Sequence, residues 1–370
     1  MVLLALTLVI ERSLYVNTIT RLKTSFPLNL KWRVDLGSST YERPAYENGL
    51  VFLPASNNGK RYWYGIDANT SSVVWSQELE QYNFLRCLTP GYMVLSGPRS
   101  LIVLQTPTGE IVWQESRPPA YTATCSKEMV FSSGVPRDSI WAYDLTTGKR
   151  LWMGTEPWMG FHGLIYNPES AEIISRHGQK FYVIEAQTGV LKSSFVKITD
   201  APDDLNTERG PMYVIDRGEL FVGGTVQDAQ TGRIIHQEDQ FKTFRPPTVT
   251  TDTMYLSAYF GGIEAFDRAD YSLKWVYQPQ PSDPLNPLAP IVILNGTGYA
   301  IFSDATLRAF DLETGQELGY WQPEASDLWW WPVCSFPPLL CDESARAGLA
   351  PSDDKLFVSF GDGKLYAFGQ

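Results

Sequence analysis

The stretch that decides the fold is "AYDLTTGKRLW" at residues 142–152, because the chain goes on to say nearly the same thing. The other copies are "GIDANTSSVVW" (65–75), "VLQTPTGEIVW" (103–113), "VIEAQTGVLK" (183–192), "VQDAQTGRIIH" (226–236), "AFDRADYSLKW" (265–275) and "AFDLETGQELG" (309–319). They close on Trp75, Trp113, Trp152, Lys192, His236, Trp275 and Gly319. Self-similarity at a period of about 40 residues points to a propeller or a solenoid before anything else.

Chemically the phrase is a hairpin. An apolar run such as "IWAY" reaches Asp144, whose short carboxylate accepts hydrogen bonds from the backbone amides of the turn. Gly148 supplies the left-handed backbone angle that the loop requires without a Cβ penalty. "KRLW" then returns antiparallel. Upstream lies a second hairpin, as in "PAYENGLVFLPA" (44–55), "YVIDRGELFVGG" (213–224), "TVTTDTMYLSAY" (248–259) and "APSDDKLFVSFGDGKLYAFG" (350–369). Each unit is therefore four short strands, a propeller blade rather than a helix-containing repeat.

The two ends fix the number of units. The last, "KLFVSFGDGKLYAFGQ", lacks its returning strand, and the N-terminal region holds the missing piece, "LKWRV" (30–34), with Trp32 at the closing position. An open ring would leave a strand edge exposed to aggregation, so the first strand is expected to complete the last blade. Counting closing positions from Trp32 to Gly319 gives eight. The expected fold is all-β, an eight-bladed β-propeller of four-stranded antiparallel blades. Residues 1–26 form an apolar leader and linker, residues 27–370 the propeller, and residues of about 322–347 an insertion loop.

With its opening Pro, its D-G or N-G turn and its Thr-Gly before Trp, the repeat resembles the PQQ-like propeller family of quinoprotein dehydrogenases. The resemblance runs from about Leu28 to Gln370 and is closer to the cofactor-free scaffold members, such as the outer-membrane-protein assembly lipoprotein. It implies that Trp32, Trp75, Trp113, Trp152 and Trp275 dock one blade on the next, so the commonest motif carries fold and not chemistry. For the enzymes of the family it implies pyrroloquinoline quinone and calcium, a disulfide between adjacent cysteines over the quinone, and Glu, Asn and Asp around the metal. No two cysteines are adjacent here. The expectation is no cofactor and no metal, with quinone and calcium chemistry as the alternative, since a fold alone does not license a function.

Composition excludes further classes. The net charge of −11 lacks the clustered Lys and Arg that a phosphate backbone needs, which excludes nucleic acid as a partner. "MVLLALTLVI" at the start is too short to span a bilayer and lacks a basic leader, so it reads as the remnant of a signal or anchor, or else as an apolar terminal element. Cys87, Cys125, Cys334 and Cys341 fit two disulfides or four free thiols. Cys334 and Cys341 enclose only "SFPPLL", and Cys87 and Cys125 fall near the starts of consecutive repeats, able to meet across neighbouring units. No Gly-x-Ser-x-Gly, HExxH, Walker or EF-hand pattern occurs. His177 lies in a hairpin turn and His236 replaces a docking Trp, which leaves His162, in "WMGFHG", as the histidine placed to meet a ligand. The carboxylate pairs Asp203-Asp204 and Asp353-Asp354 read as solvated turns.

Two features rise above the repeat. Trp329, Trp330 and Trp331, in a Pro-rich connection that a Cys334–Cys341 clip would stiffen, cannot all point inward from a strand, and rigid exposed aromatics suit a binding surface or a lid. Arg43, Arg117, Arg209 and Arg245 each stand near a strand-opening Pro and would gather at the channel mouth, to hold an anion or to pair with local acids. Sheet edges are expected to be largely occupied, so partners should meet loops and mouth rather than add strands. The sequence thus points to a non-enzymatic, extracytoplasmic scaffold, membrane-tethered at its N-terminus, whose loop face binds a protein, peptide or polymer. The alternatives are a quinoprotein-like oxidoreductase and a sensor or carbohydrate-binding module.

Overall fold

The computed structural model describes residues 26–40, 42–79, 84–97, 100–116, 120–134, 139–154, 163–177, 180–196, 213–222, 225–237, 246–258, 262–278, 287–324 and 347–370. These form eight antiparallel sheets in a ring. Blade one ends on the strand Val73–Glu78, blade two on Ile111–Glu115, blade three on Arg150–Gly154 and blade four on Leu191–Val196. Blade five ends on Ile234–Gln237, blade six on Leu273–Tyr277 and blade seven on Glu317–Trp321. Blade eight comprises Gly348–Pro351, Lys355–Ser359, Lys364–Gly369 and, as its fourth strand, Asn29–Asp35 from the other end of the chain. Trp32 pairs with Ala367 and Arg33 with Tyr366, so the ring is closed by the two extremities meeting in one sheet.

Each hairpin turn is built as its sequence dictates. Asp144 Oδ1 accepts the backbone N–H of Thr147 at 2.8 Å and of Thr146 at 3.1 Å, together with both threonine hydroxyls. These bonds, the Thr146 hydroxyl foremost, hold the Asp144 carboxyl below the usual carboxylate range, and the same capture recurs at Asp67, Asp228 and Asp311. Gly148 has a φ of 67°.

The seams between blades show what the recurring Trp does. Each indole donates its N–H to the carbonyl that follows the turn's first residue in the next blade. Trp32 bonds Ala68, Trp75 bonds Thr106, Trp113 bonds Leu145, Trp152 bonds Ala186 and Trp275 bonds Leu312, at 2.7–3.2 Å. In four of these seams the ring lies on the Thr-Gly glycine of that turn: Gly109, Gly148, Gly189 and Gly315. A Cβ at Gly148 would stand 2.7 Å from the Trp113 ring. One glycine therefore serves both the turn's dihedral and the seat of its neighbour's indole.

Three seams are made differently. In blade four the position equivalent to Trp152 is Ser193 and not Lys192: Trp152 pairs with Ala142, and Ser193 pairs with Val183. The Ser193 hydroxyl donates to Gln230 O at 2.9 Å, and Phe195, two residues on and therefore on the same face, lies over Gly232. Blade seven closes on Gly319, and the blade that follows has no turn there, because its third and fourth strands come from opposite parts of the sequence. The gap is filled by Trp321, packed edge-on to Phe368 at 4.9 Å, and by Phe26 and Leu28, which join the same core. Between blades five and six, His236 stacks on Tyr271 at 4.7 Å and 17°. Tyr271 takes the glycine's place with a φ of 58°. Arg268 grips Asp216 at 2.6 Å and Glu219 at 2.7 Å, and the Tyr271 hydroxyl donates to Glu219. A smaller ring and a larger seat have been exchanged together.

Among the described residues the sheet edges are not occupied as expected. The first and fourth strands are terminal in every blade, and the fourth carry outward apolar side chains such as Val74 and Leu273.

The exchange at 236 and 271 predicts strong coupling. His236→Trp alone should lower stability by about 1–3 kcal/mol through crowding against Tyr271. In the Tyr271→Gly background the same change should cost far less, a coupling of about 0.5–3 kcal/mol in a urea-denaturation double-mutant cycle. Additive effects would show that the two positions are independent.

Candidate functional site

Strand direction sorts the connections onto two faces. Turns between first and second strands, such as Asn48-Gly49 and Asn295-Gly296, and between third and fourth strands, such as 145–149, lie on one face and are uniformly short. The other face receives the turns between second and third strands and all the blade-to-blade connections. The latter vary widely in length, from 36–38 between blades eight and one to 322–347 between blades seven and eight. The second face therefore presents the more varied surface of the two.

Trp329, Trp330, Trp331, Cys334, Cys341, Arg117, Arg209, Arg245 and His162 lie outside the described residues. Arg43 is described, and its surroundings are distinctive. The first strand of blade one is split. Thr40 pairs with Ala55 and Ala45 with Phe52, and between them the ladder is interrupted opposite Leu53 and Pro54. Pro54 has no N–H to offer the ladder, which favours the interruption. Arg43 sits in it, and interruptions of this kind re-aim side chains. Across the ring seam the Arg43 stem lies against Gly348, where a Cβ would collide with it.

Arg43 borders a cavity of about 290 Å³ among the entries of blades six, seven, eight and one. Its other described walls are Thr248 of blade six, residues 289–293 of blade seven, and Leu349 and Pro351 of blade eight. Thr248 donates its hydroxyl to Ile291 O at 2.5 Å, which leaves the wall largely aliphatic.

Two acids on this face went unnoticed in the sequence. Asp304 and Asp362 stand in the second-to-third-strand turns of blades seven and eight, both almost fully buried. Asp304 binds Arg308 at 2.7 Å. Burial alone would weaken the Arg308 charge, but Asp304, Tyr277 and Glu317 outweigh it and hold the guanidinium more firmly protonated than usual. Asp362 accepts a hydrogen bond from the Tyr366 hydroxyl at 2.7 Å, and burial raises its carboxyl above the ordinary range. The signal was present in "SDATLRAF" and "FGDGKLYAF", where an Asp precedes its strand partner by four residues in both copies.

Cys87 and Cys125 are joined as a disulfide between the first strands of blades two and three, with Cα atoms 6.1 Å apart. His236 lies in the seam described above, and Asp354 in a turn with Ser352 and Lys355.

The family's quinone and calcium can be tested against these groups. Among the described residues no cluster of three or more His, Cys, Asp or Glu side chains is arranged to hold a metal ion. The described cavity wall offers one guanidinium and one hydroxyl, whereas calcium takes six to eight oxygen ligands. This donor set does not fit the pair.

The sequence matches the family described as outer membrane protein assembly factor BamB over residues 90–193 and 182–327. The chain belongs to this PQQ-like propeller family. No curated protein sequence matches it. Among solved structures, BamB from Moraxella catarrhalis superposes with a TM-score of 0.66 at 15% identity, over 93% of this chain and 100% of that one. The quinohemoprotein alcohol dehydrogenase from Comamonas testosteroni gives 0.64 at 14% identity, over 92% and 76%. The C-terminal WD40 domain of Sif2 gives 0.65 at 10% identity, over 93% and 98%. At such identities the likeness is one of fold, and it is equal for enzyme and non-enzyme. Within the PQQ-like family, chemistry must therefore be read from the groups at the mouth.

Two outcomes follow. The raised Asp362 carboxyl binds its proton more tightly folded than unfolded, so its contribution to stability grows as pH falls through the raised pKa and is lost as pH rises. Melting curves from neutral to mildly acidic pH should show wild type gaining on Asp362→Asn as the pH falls; parallel curves would show that Asp362 titrates normally. Replacing Cys87 and Cys125 by Ser should cost about 2–4 kcal/mol in denaturant unfolding under non-reducing conditions.

Proposed function

We propose that this chain is a non-enzymatic scaffold of the extracytoplasmic space, whose long-connection face and channel mouth bind a protein partner. The observation that carries the reading is the match to the BamB assembly factor over most of the chain, joined to a mouth whose described groups do not suit quinone and calcium. The Cys87–Cys125 disulfide supports an oxidising compartment, where such bonds persist. An N-terminal tether through the apolar "MVLLALTLVI" accords with this placement. The partner meets Trp329, Trp330 and Trp331, with Arg43, Arg117, Arg209, Arg245 and His162 around the mouth.

The quinoprotein reading is favoured by the dehydrogenase likeness alone and is separated by one experiment. Protein incubated with pyrroloquinoline quinone and calcium should give neither a bound-quinone absorption nor dye-linked alcohol oxidation. Either signal overturns the scaffold. Trp329, Trp330 and Trp331 replaced together by Ala should leave the melting curve unchanged while the purified protein loses the partner that wild type retains in crosslinked envelope extracts. Unchanged retention would make the loop a lid.

A further inference from the structure

We propose that the seam between blades three and four is a binding site for buried water, held by the hydroxyls of Thr122, Ser133 and Ser175. Strand alternation brings the three to one seam. Ser133 shares a strand face with Met129 and Phe131, which pack on blade four. Thr122 pairs with Ser133 directly after a bulge and so takes the same face. Ser175 shares the face of Ile173, which packs back on blade three. All three side chains are fully buried, and among the described residues none of their hydroxyls has a hydrogen-bond partner.

The other blades supply the comparison. Met129 pairs with Asp144 and Thr297 with Asp311, so counting along each second strand makes Ile301 the counterpart of Ser133. Leu288, whose N–H donates to Ile301 O, is the counterpart of Thr122. The same count from the pairs Glu172 with Glu185 and Lys355 with Gly369 sets Val358 against Ser175. Between blades seven and eight, Leu288, Ile301 and Val358 belong to one aliphatic core. Between blades three and four the same places carry shorter side chains, each bringing an oxygen. Serines at the Ser133 position of other blades have protein partners. Ser96 accepts Arg86 Nε–H at 2.6 Å, Ser257 donates to Ala289 O at 3.3 Å, and Ser359 shares a hydrogen bond with Thr40 at 2.7 Å.

These observations choose the occupant. A buried hydroxyl left unpaired costs free energy, and a buried water typically takes roughly two to four polar partners. The shorter side chains leave room that close packing fills in the aliphatic seam. Phe131, Ile140, Leu164 and Ile173 surround the hydroxyls with apolar surface, where an ion would be buried without a countercharge. A neutral molecule that both donates and accepts is what the seam suits.

The sign of one isosteric substitution tests this. Thr122→Val keeps the shape and removes the hydroxyl. Where water joins the hydroxyls, the change deprives it of a partner, and the melting temperature of the full chain should fall by about 1–3 °C. A melting temperature that is unchanged or raised would show a dry hydroxyl and overturn the proposal. Direct bonds among the three hydroxyls would also lower it, so a high-resolution crystal structure of the wild-type chain separates the two. The expected result is a water oxygen about 2.5–3.2 Å from at least two of the three hydroxyls. Hydroxyls bonded to one another with nothing between them, or a coordinated cation in their midst, would each overturn the proposal.

Discussion

An indole lying flat on a glycine is the contact from which the rest of this molecule follows. A blade on its own exposes two apolar faces, and it becomes stable only by burying both against neighbours. The seat must be flat, and the turn that provides it must pass through a left-handed angle. Glycine meets both demands, so the recurring Thr-Gly and the recurring Trp are two halves of one constraint. Where one half is missing the other has adjusted. Phe195 replaces the absent ring in blade four, Tyr271 and His236 exchange sizes between blades five and six, and Trp321 with Phe26 fills the seam that has no turn.

This explains how far the sequence could be read. Ring closure was legible because Trp32 stands one period before Trp75 and the last repeat lacks its fourth strand, an argument that needs only counting. Lys192 was misassigned because blade four has no Trp to align on. The ring had moved two residues, which preserves its face in a strand and erases it from the motif. The mouth was less legible still. Arg43 was visible as an Arg before a Pro, but its seat is Gly348 and its strand is broken opposite Pro54, contacts that join distant parts of the chain. Asp304 and Asp362 looked like ordinary turn acids, and burial is what distinguishes them.

The comparison with quinoprotein enzymes shows how little the backbone says about chemistry. A dehydrogenase and a WD40 domain superpose on this ring equally well. What differs between such proteins is the set of donors that the blade entries present at the axis. In the cavity beside Arg43 the described lining is a guanidinium-bearing residue, a hydroxyl already engaged with a backbone carbonyl, and aliphatic wall. A scaffold places few demands on such a mouth, whereas a metal-dependent reaction would require oxygen ligands in number.

The pairing of Asn29 with Gly369 has a consequence for how the disc can be held. Both residues stand at the edge where the third strand of blade eight ends and its fourth begins, beside the short hairpins and a blade's height away from the long connections. A graft, label or surface attachment added before Phe26 or after Gln370 therefore departs from the rear of the disc. The opposite side stays open to solution, and a tight turn from Gly369 to Asn29 would close blade eight as it closes every other blade.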